Sequence, residues 1–154
     1  MKYFRNIIMF LLLLYLPQCE DFVGVNYNDS KIYKISKSRD EIIKAINLFK
    51  TEHPENCPPD SSKLKDGYKI DTEGKDITVW YYVYFYNPDS NRYFNTFLWK
   101  KDNGHTQIGL ISVTKDIHTS WKLVNTDIKG SENTAIISEF ERTFLNPIKD
   151  ILKR

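Results

Sequence analysis

The spacing of apolar residues changes along this chain, and each spacing marks an element. Ile42, Ala45, Ile46 and Phe49 recur at three- and four-residue intervals, the period of one face of a helix. Ser38-Arg39-Asp40-Glu41 ahead of them has the form of a capping box, in which Ser and Glu three apart satisfy each other's backbone N–H groups. His53-Pro54 ends the pattern, because a residue before proline avoids the α region. The spacing therefore predicts a helix over Arg39 to Glu52.

After a loop-like stretch from Pro54 to Lys75, with Tyr68–Asp71 as a candidate short strand, the pattern switches. Thr78 to Tyr86 is dense in aromatic and β-branched residues, which favour a pleated surface. Asn87-Pro88-Asp89-Ser90 is turn chemistry and Asn103-Gly104 is a hairpin signal. Strands are expected at Thr78–Tyr86, Arg92–Lys101, Thr106–Thr114 and Ser120–Asn125. Ile136, Ile137, Phe140 and Phe144 then return to helical spacing, with Ser131 placed to cap them. Asn146-Pro147 resembles a second cap with proline at the first helical position, so a break and a short last helix are expected there. The order implies an α+β fold: an antiparallel four-stranded meander with one helix before it and another after it.

The start of the chain obeys neither period. Lys2 and Arg5 precede an unbroken apolar run, Ile7 to Leu16, that Pro17 ends. A basic n-region and a run of about ten apolar residues describe a secretory signal, whereas a spanning helix needs about twenty. The segment Leu16-Pro17-Gln18-Cys19 resembles the lipobox of bacterial lipoproteins, with leucine three residues before the cysteine and Gln18 where that class prefers Gly, Ala or Ser. The resemblance covers the first nineteen residues and implies that Cys19 is acylated and becomes the mature N-terminus. Residues 1–18 are then the signal, 19–35 a tether with a short strand at Lys31–Ile35, and 36–154 a single globular domain. The alternative is a soluble periplasmic or secreted protein in which Cys19 and Cys57, the two cysteines of the chain, form a disulfide.

Charge narrows the partners. The whole chain carries 22 basic and 20 acidic residues, and the signal holds two of the cations and no acid, so the mature chain is neutral. Neutrality argues against nucleic acid, whose binding requires a basic footprint on the phosphates. It also removes electrostatic attraction to anionic lipid, leaving the acyl anchor as the route to a membrane.

No catalytic, metal or cofactor motif emerges. His53, His105 and His118 have no ligand-type spacing. No nucleophile elbow surrounds Ser112 or Ser120, no glycine loop suits a phosphate, and Cys57 has no basic partner in sequence. The remaining candidate is the row Trp80, Tyr82, Tyr84 and Tyr86 on one strand face. As a ligand-binding surface it would offer Tyr82, Tyr84 and Tyr86 to a flat partner.

Hairpin register places that row. With Asn103-Gly104 as the turn centre, Phe97 opposes Leu110, Thr96 opposes Ile111 and Phe94 opposes Val113. A five-residue loop Asn87–Asn91 sets Tyr84 beside Phe94 and Trp80 beside Leu98. The row then shares its face with Phe94, Leu98, Ile111 and Val113, while Val83, Phe85, Phe97, Trp99 and Leu110 lie opposite. Both faces are apolar, so the row reads as core rather than platform, with Tyr86 at the rim. The expected function is a non-enzymatic cell-envelope lipoprotein that binds a protein partner. A periplasmic inhibitor or immunity-type protein and an enzyme of unrecognised type are the alternatives.

Overall fold

The computed structural model describes residues 29–59, 80–101 and 105–154. The signal, Cys19 and the strand expected at Tyr68–Asp71 lie outside these residues. The fold is α+β. In chain order, strand β1 (Lys31–Ile35) precedes helix α1 (Arg39–Glu52) and a short turn of 3-10 helix at Pro54–Asn56. Strands β2 (Trp80–Asn87), β3 (Arg92–Lys101), β4 (His105–Thr114) and β5 (Lys122–Leu123) follow. Helix α2 (Gly130–Phe140) runs through a π turn (Glu141–Leu145) into helix α3 (Asn146–Ile151).

The antiparallel sheet has the order β1-β4-β3-β2, and β5 pairs with β4. β2, β3 and β4 form the expected meander. β1 adds to its far side, pairing Tyr33 with Ile108 and Ile35 with Thr106, so the end of the expected tether is a sheet strand. The strand expected over Ser120–Asn125 is reduced to Lys122–Leu123. The polypeptide turns away there, with the Leu123 N–H donating to Asp127 Oδ2 at 2.7 Å and Asn125 in the left-handed region at φ 68°.

The capping box forms as its residues dictate. The Glu41 N–H donates to Ser38 Oγ at 3.3 Å, and the Ser38 N–H donates to Glu41 Oε2 at 2.9 Å. α1 turns Ile42, Ala45, Ile46 and Phe49 onto the sheet. The C-terminal helical run supplies Ile136, Phe140, Phe144, Leu145 and Ile148 to the same core, where they meet Val83, Phe85, Phe94, Leu98, Ile108, Leu110 and Val113. Phe144 is central, with ring centroids at 4.9 Å from Phe85, 5.2 Å from Phe94 and 5.8 Å from Phe140.

Two expectations about the C-terminal run are overturned. Ser131 does not cap α2; Lys129 holds the N-cap position and no side chain caps the helix. Nor does Asn146-Pro147 break the chain, since Asn146 is helical at φ −67° and ψ −46°. Proline needs relief because it lacks an N–H and crowds the preceding turn. The preceding turn widens instead: the Asn146 N–H donates to the Glu141 carbonyl, a five-residue π spacing.

The register expected for the hairpins is also corrected. β2 and β3 pair as Trp80↔Trp99, Tyr84↔Asn95, Phe85↔Phe94 and Asn87↔Arg92. The connecting loop is thus the four residues Pro88–Asn91, one fewer than expected. Asn87 bends it with its own side chain, Oδ1 accepting from the Asp89 N–H at 3.1 Å, and Asn91 takes a left-handed φ of 48° that asparagine tolerates. A one-residue slip moves every side chain to the other face. Val83 and Phe85, not the tyrosine row, therefore share the helix-covered face with Phe94 and Leu98.

β3 and β4 pair as expected at Phe94↔Val113, then shift at a bulge, so that Thr96 opposes Leu110 and Phe97 opposes Gly109. The extra residue is Ile111, whose carbonyl accepts the Val124 N–H at 2.9 Å. The bulge lets Leu110 and Val113, three apart, both face the helices.

Candidate functional site

The expected binding residues Tyr82, Tyr84 and Tyr86 lie on the sheet face turned away from the helices, and all three are half-buried. Cross-strand pairing adds Phe97 beside Tyr82, Asn95 beside Tyr84 and Tyr93 beside Tyr86. The Tyr86 and Tyr93 rings are 4.7 Å apart, and Tyr86 donates its hydroxyl to Asn91 Oδ1 at 3.0 Å. Trp121, from the segment leading into β5, meets Tyr84 edge-on at 6.0 Å. Burial, followed by the neighbouring Tyr82, pushes the Tyr84 phenol above the ordinary tyrosine range, so it stays neutral and able to donate.

The floor of this face is closed. Phe97 is 1% exposed and lies across Gly109 of the neighbouring strand. The row is therefore neither the fully buried core that the expected register implied nor a bare surface. It is a half-buried aromatic layer over a buried floor. Within it, Asn95 donates from Nδ2 to Ser112 Oγ at 3.4 Å, while its Oδ1 is buried without a hydrogen-bond partner among the described residues. Half-buried aromatic faces suit a ligand that brings a flat or aliphatic surface.

Sequence reading missed Tyr93, Asn95 and Trp121 as parts of this face. The first two were legible from β2–β3 register, had the loop been counted as four residues. Trp121 is distant in sequence from the row and offered no signal.

The other face holds a polar constellation that sequence also missed. Asn87 and Arg92 end paired strands on the helix side and reach across to Glu139 of α2. Glu139 Oε1 accepts from Asn87 Nδ2 at 2.7 Å and from the Ser90 hydroxyl, and Oε2 accepts from Arg92 Nη1. The two charged side chains are 17% and 12% exposed, so this is a largely desolvated pair that fixes the hairpin tip to the helix.

The histidines remain apart. His53 packs on Phe49 at 4.8 Å with Nδ1 3.3 Å from Glu55, and His105 and His118 are exposed on β4 and the following turn. Cys57 Sγ lies 3.7 Å from the Lys50 carbonyl. Among the described residues, no group of three His, Cys, Asp or Glu side chains converges on a metal position, and no helix is long and apolar enough to cross a membrane. Ser112 is buried beside Asn95, and Ser120 lines a cleft near α2. In comparison with known proteins, no family model, no curated protein and no solved structure matches the chain.

Proposed function

We propose that this protein is a non-enzymatic cell-envelope lipoprotein, anchored to a bacterial membrane by an acyl group on Cys19, that works as a small binding module. Its contact surface is the aromatic sheet face around Tyr84 and Tyr86. The observation that carries this reading is the asymmetry of the sheet. Among the described residues, two helical segments fill one face, whereas the other leaves three tyrosines half-buried around Asn95. Tyrosine of this kind is enriched in interfaces because a rigid apolar ring and a polar tip contribute contact area at low entropic cost. The basic n-region, the apolar run and Leu16-Pro17-Gln18-Cys19 support export and anchoring.

Two measurements test the two halves. Intact mass of the mature protein is expected to give a chain that starts at Cys19 and carries acyl groups. An unacylated N-terminus beyond Cys19 overturns the anchor. Affinity capture of the tagged full-length protein from its own envelope, followed by mass spectrometry, is expected to bring down a partner that Tyr84→Ala with Tyr86→Ala releases, the circular dichroism being unchanged. Retention of the partner by that variant overturns the assignment of the surface. A single stoichiometric secreted toxin or hydrolase would identify the module as an inhibitor.

A further inference from the structure

A second recess lies on the helix side of the sheet. It is a cleft of about 260 Å³ between the end of β4, the turn that follows it and the first turns of α2. Its apolar residues are Val113, Ile128 and Ile136, all nearly fully buried. Charges of both signs ring them: Arg92, Lys115 and Lys122 against Asp116 and Glu132, with Glu139 paired behind Arg92. Cations and carboxylates are equal in number, so the cleft attracts neither sign overall.

One wall is held rigid. The Thr114 hydroxyl accepts from the Asp116 N–H at 3.1 Å, Thr119 Oγ1 donates to the Asp116 carbonyl at 2.8 Å, and the His118 N–H donates to Asp116 Oδ1 at 2.9 Å. Arg92 is pinned through one nitrogen by Glu139, which leaves further guanidinium N–H groups unspent by that pair. A site held in place before binding loses little entropy when it fills.

We propose that this cleft binds a small zwitterion with an aliphatic body, either an amino acid or a very short peptide. A carboxylate finds the guanidinium of Arg92 and the ammonium groups of the two lysines. An ammonium finds Asp116 and Glu132. The aliphatic part covers Val113, Ile128 and Ile136. Beside the Arg92–Glu139 pair, a simple anion meets the two carboxylates Asp116 and Glu132, a simple cation meets the two ammonium groups of Lys115 and Lys122, and a wholly apolar molecule desolvates charges without replacing their partners. The volume lies just under the roughly 300 Å³ at which sites for drug-sized ligands begin, which limits the occupant to a few heavy atoms beyond an amino acid.

The test titrates the full-length protein in detergent with L-leucine, with isocaproate, which lacks the ammonium, and with isoamylamine, which lacks the carboxylate. The readout is the amide NMR shift of the turn from Lys115 to Lys122. Leucine is expected to give saturable shifts there, and each analogue to bind at least about tenfold more weakly. Arg92→Gln endangers the fold through Glu139, so the exposed rim variants Glu132→Gln and Lys122→Gln serve instead. Each is expected to weaken leucine several-fold with the remaining spectrum unchanged. Equal affinity for leucine and either analogue, or no saturation by leucine or leucyl-leucine up to about 10 mM, overturns the proposal.

Discussion

The ring of Phe97 lies directly over Gly109 on the neighbouring strand, so close that a Cβ on that glycine would stand 2.1 Å from Cε1 and 2.2 Å from Cζ. Glycine weakens a strand, and an aromatic side chain laid across it restores the lost contact. Phe97 is buried and cannot swing aside cheaply. Gly109→Ala is therefore expected to destabilise by about 2 kcal/mol or more through overpacking, seen as a lower denaturation midpoint with an unchanged slope. A neutral Gly109→Ala would mean that Phe97 has an alternative rotamer and that the floor of the tyrosine face is soft.

Glu139 ties Asn87, Ser90 and Arg92 to α2. Glu139→Ala strands a largely buried guanidinium, with an expected loss of about 2–3 kcal/mol. Adding Arg92→Met to that variant removes the stranded charge and is expected to recover part of the loss. A double variant no more stable than Glu139→Ala would show that the pair's charge is not the issue. Urea unfolding of the three proteins measures it.

Acid stability contains a local contribution from the first helix. The Ser38 hydroxyl, then the Ser38 backbone N–H, then Lys37 hold the Glu41 carboxyl down from its ordinary 4.5 to about 2. A carboxyl lowered by folding stabilises the native state above its unfolded pKa and loses that contribution as pH falls through the folded value. Stability is thus expected to decline from about pH 4.5 toward pH 2, in part through this cap. Ser38→Ala removes the largest cause, the hydroxyl, and spares the second, the backbone N–H, and is expected to raise the Glu41 midpoint in a carboxyl-carbon NMR titration. The same variant costs about 1 kcal/mol at neutral pH through the lost cap. An unmoved Glu41 midpoint would contradict the assigned cause.

Phe144 sits where α1, the C-terminal helical run and the sheet converge, edge-on to Phe49 at 6.2 Å and stacked on Phe85 at 4.9 Å. Phe144→Ala is expected to cost about 3–5 kcal/mol, a large share of the stability of a domain this size. Thermal unfolding followed by near-ultraviolet circular dichroism would report it. Phe144→Leu, which retains most of the volume, should recover more than half.

The sequence alone determined the parts of this fold that depend on near neighbours. Ser38 and Glu41 are three residues apart, so their capping box and the helix behind it follow from local chemistry. The density of aromatic and β-branched residues in β2 and β3 likewise marks them as strands, whatever they pair with. Only the tertiary structure decided what those strands present to each side. A four-residue turn at Pro88–Asn91 in place of five exchanged the faces of β2, and the extra residue Ile111 brought Leu110 and Val113 to one side. Both are closures between segments, set by how many residues the core admits, and a one-residue difference barely alters the local pattern. The same holds for Asn146-Pro147, which reads locally as a helix start. Burial of Phe144 and Leu145 on one side and Ile148 on the other makes it worth widening one turn rather than stopping the helix. The place of Trp121 on the tyrosine face and the charged cleft were hidden for that reason: each joins residues from segments far apart in the chain, which only packing brings together.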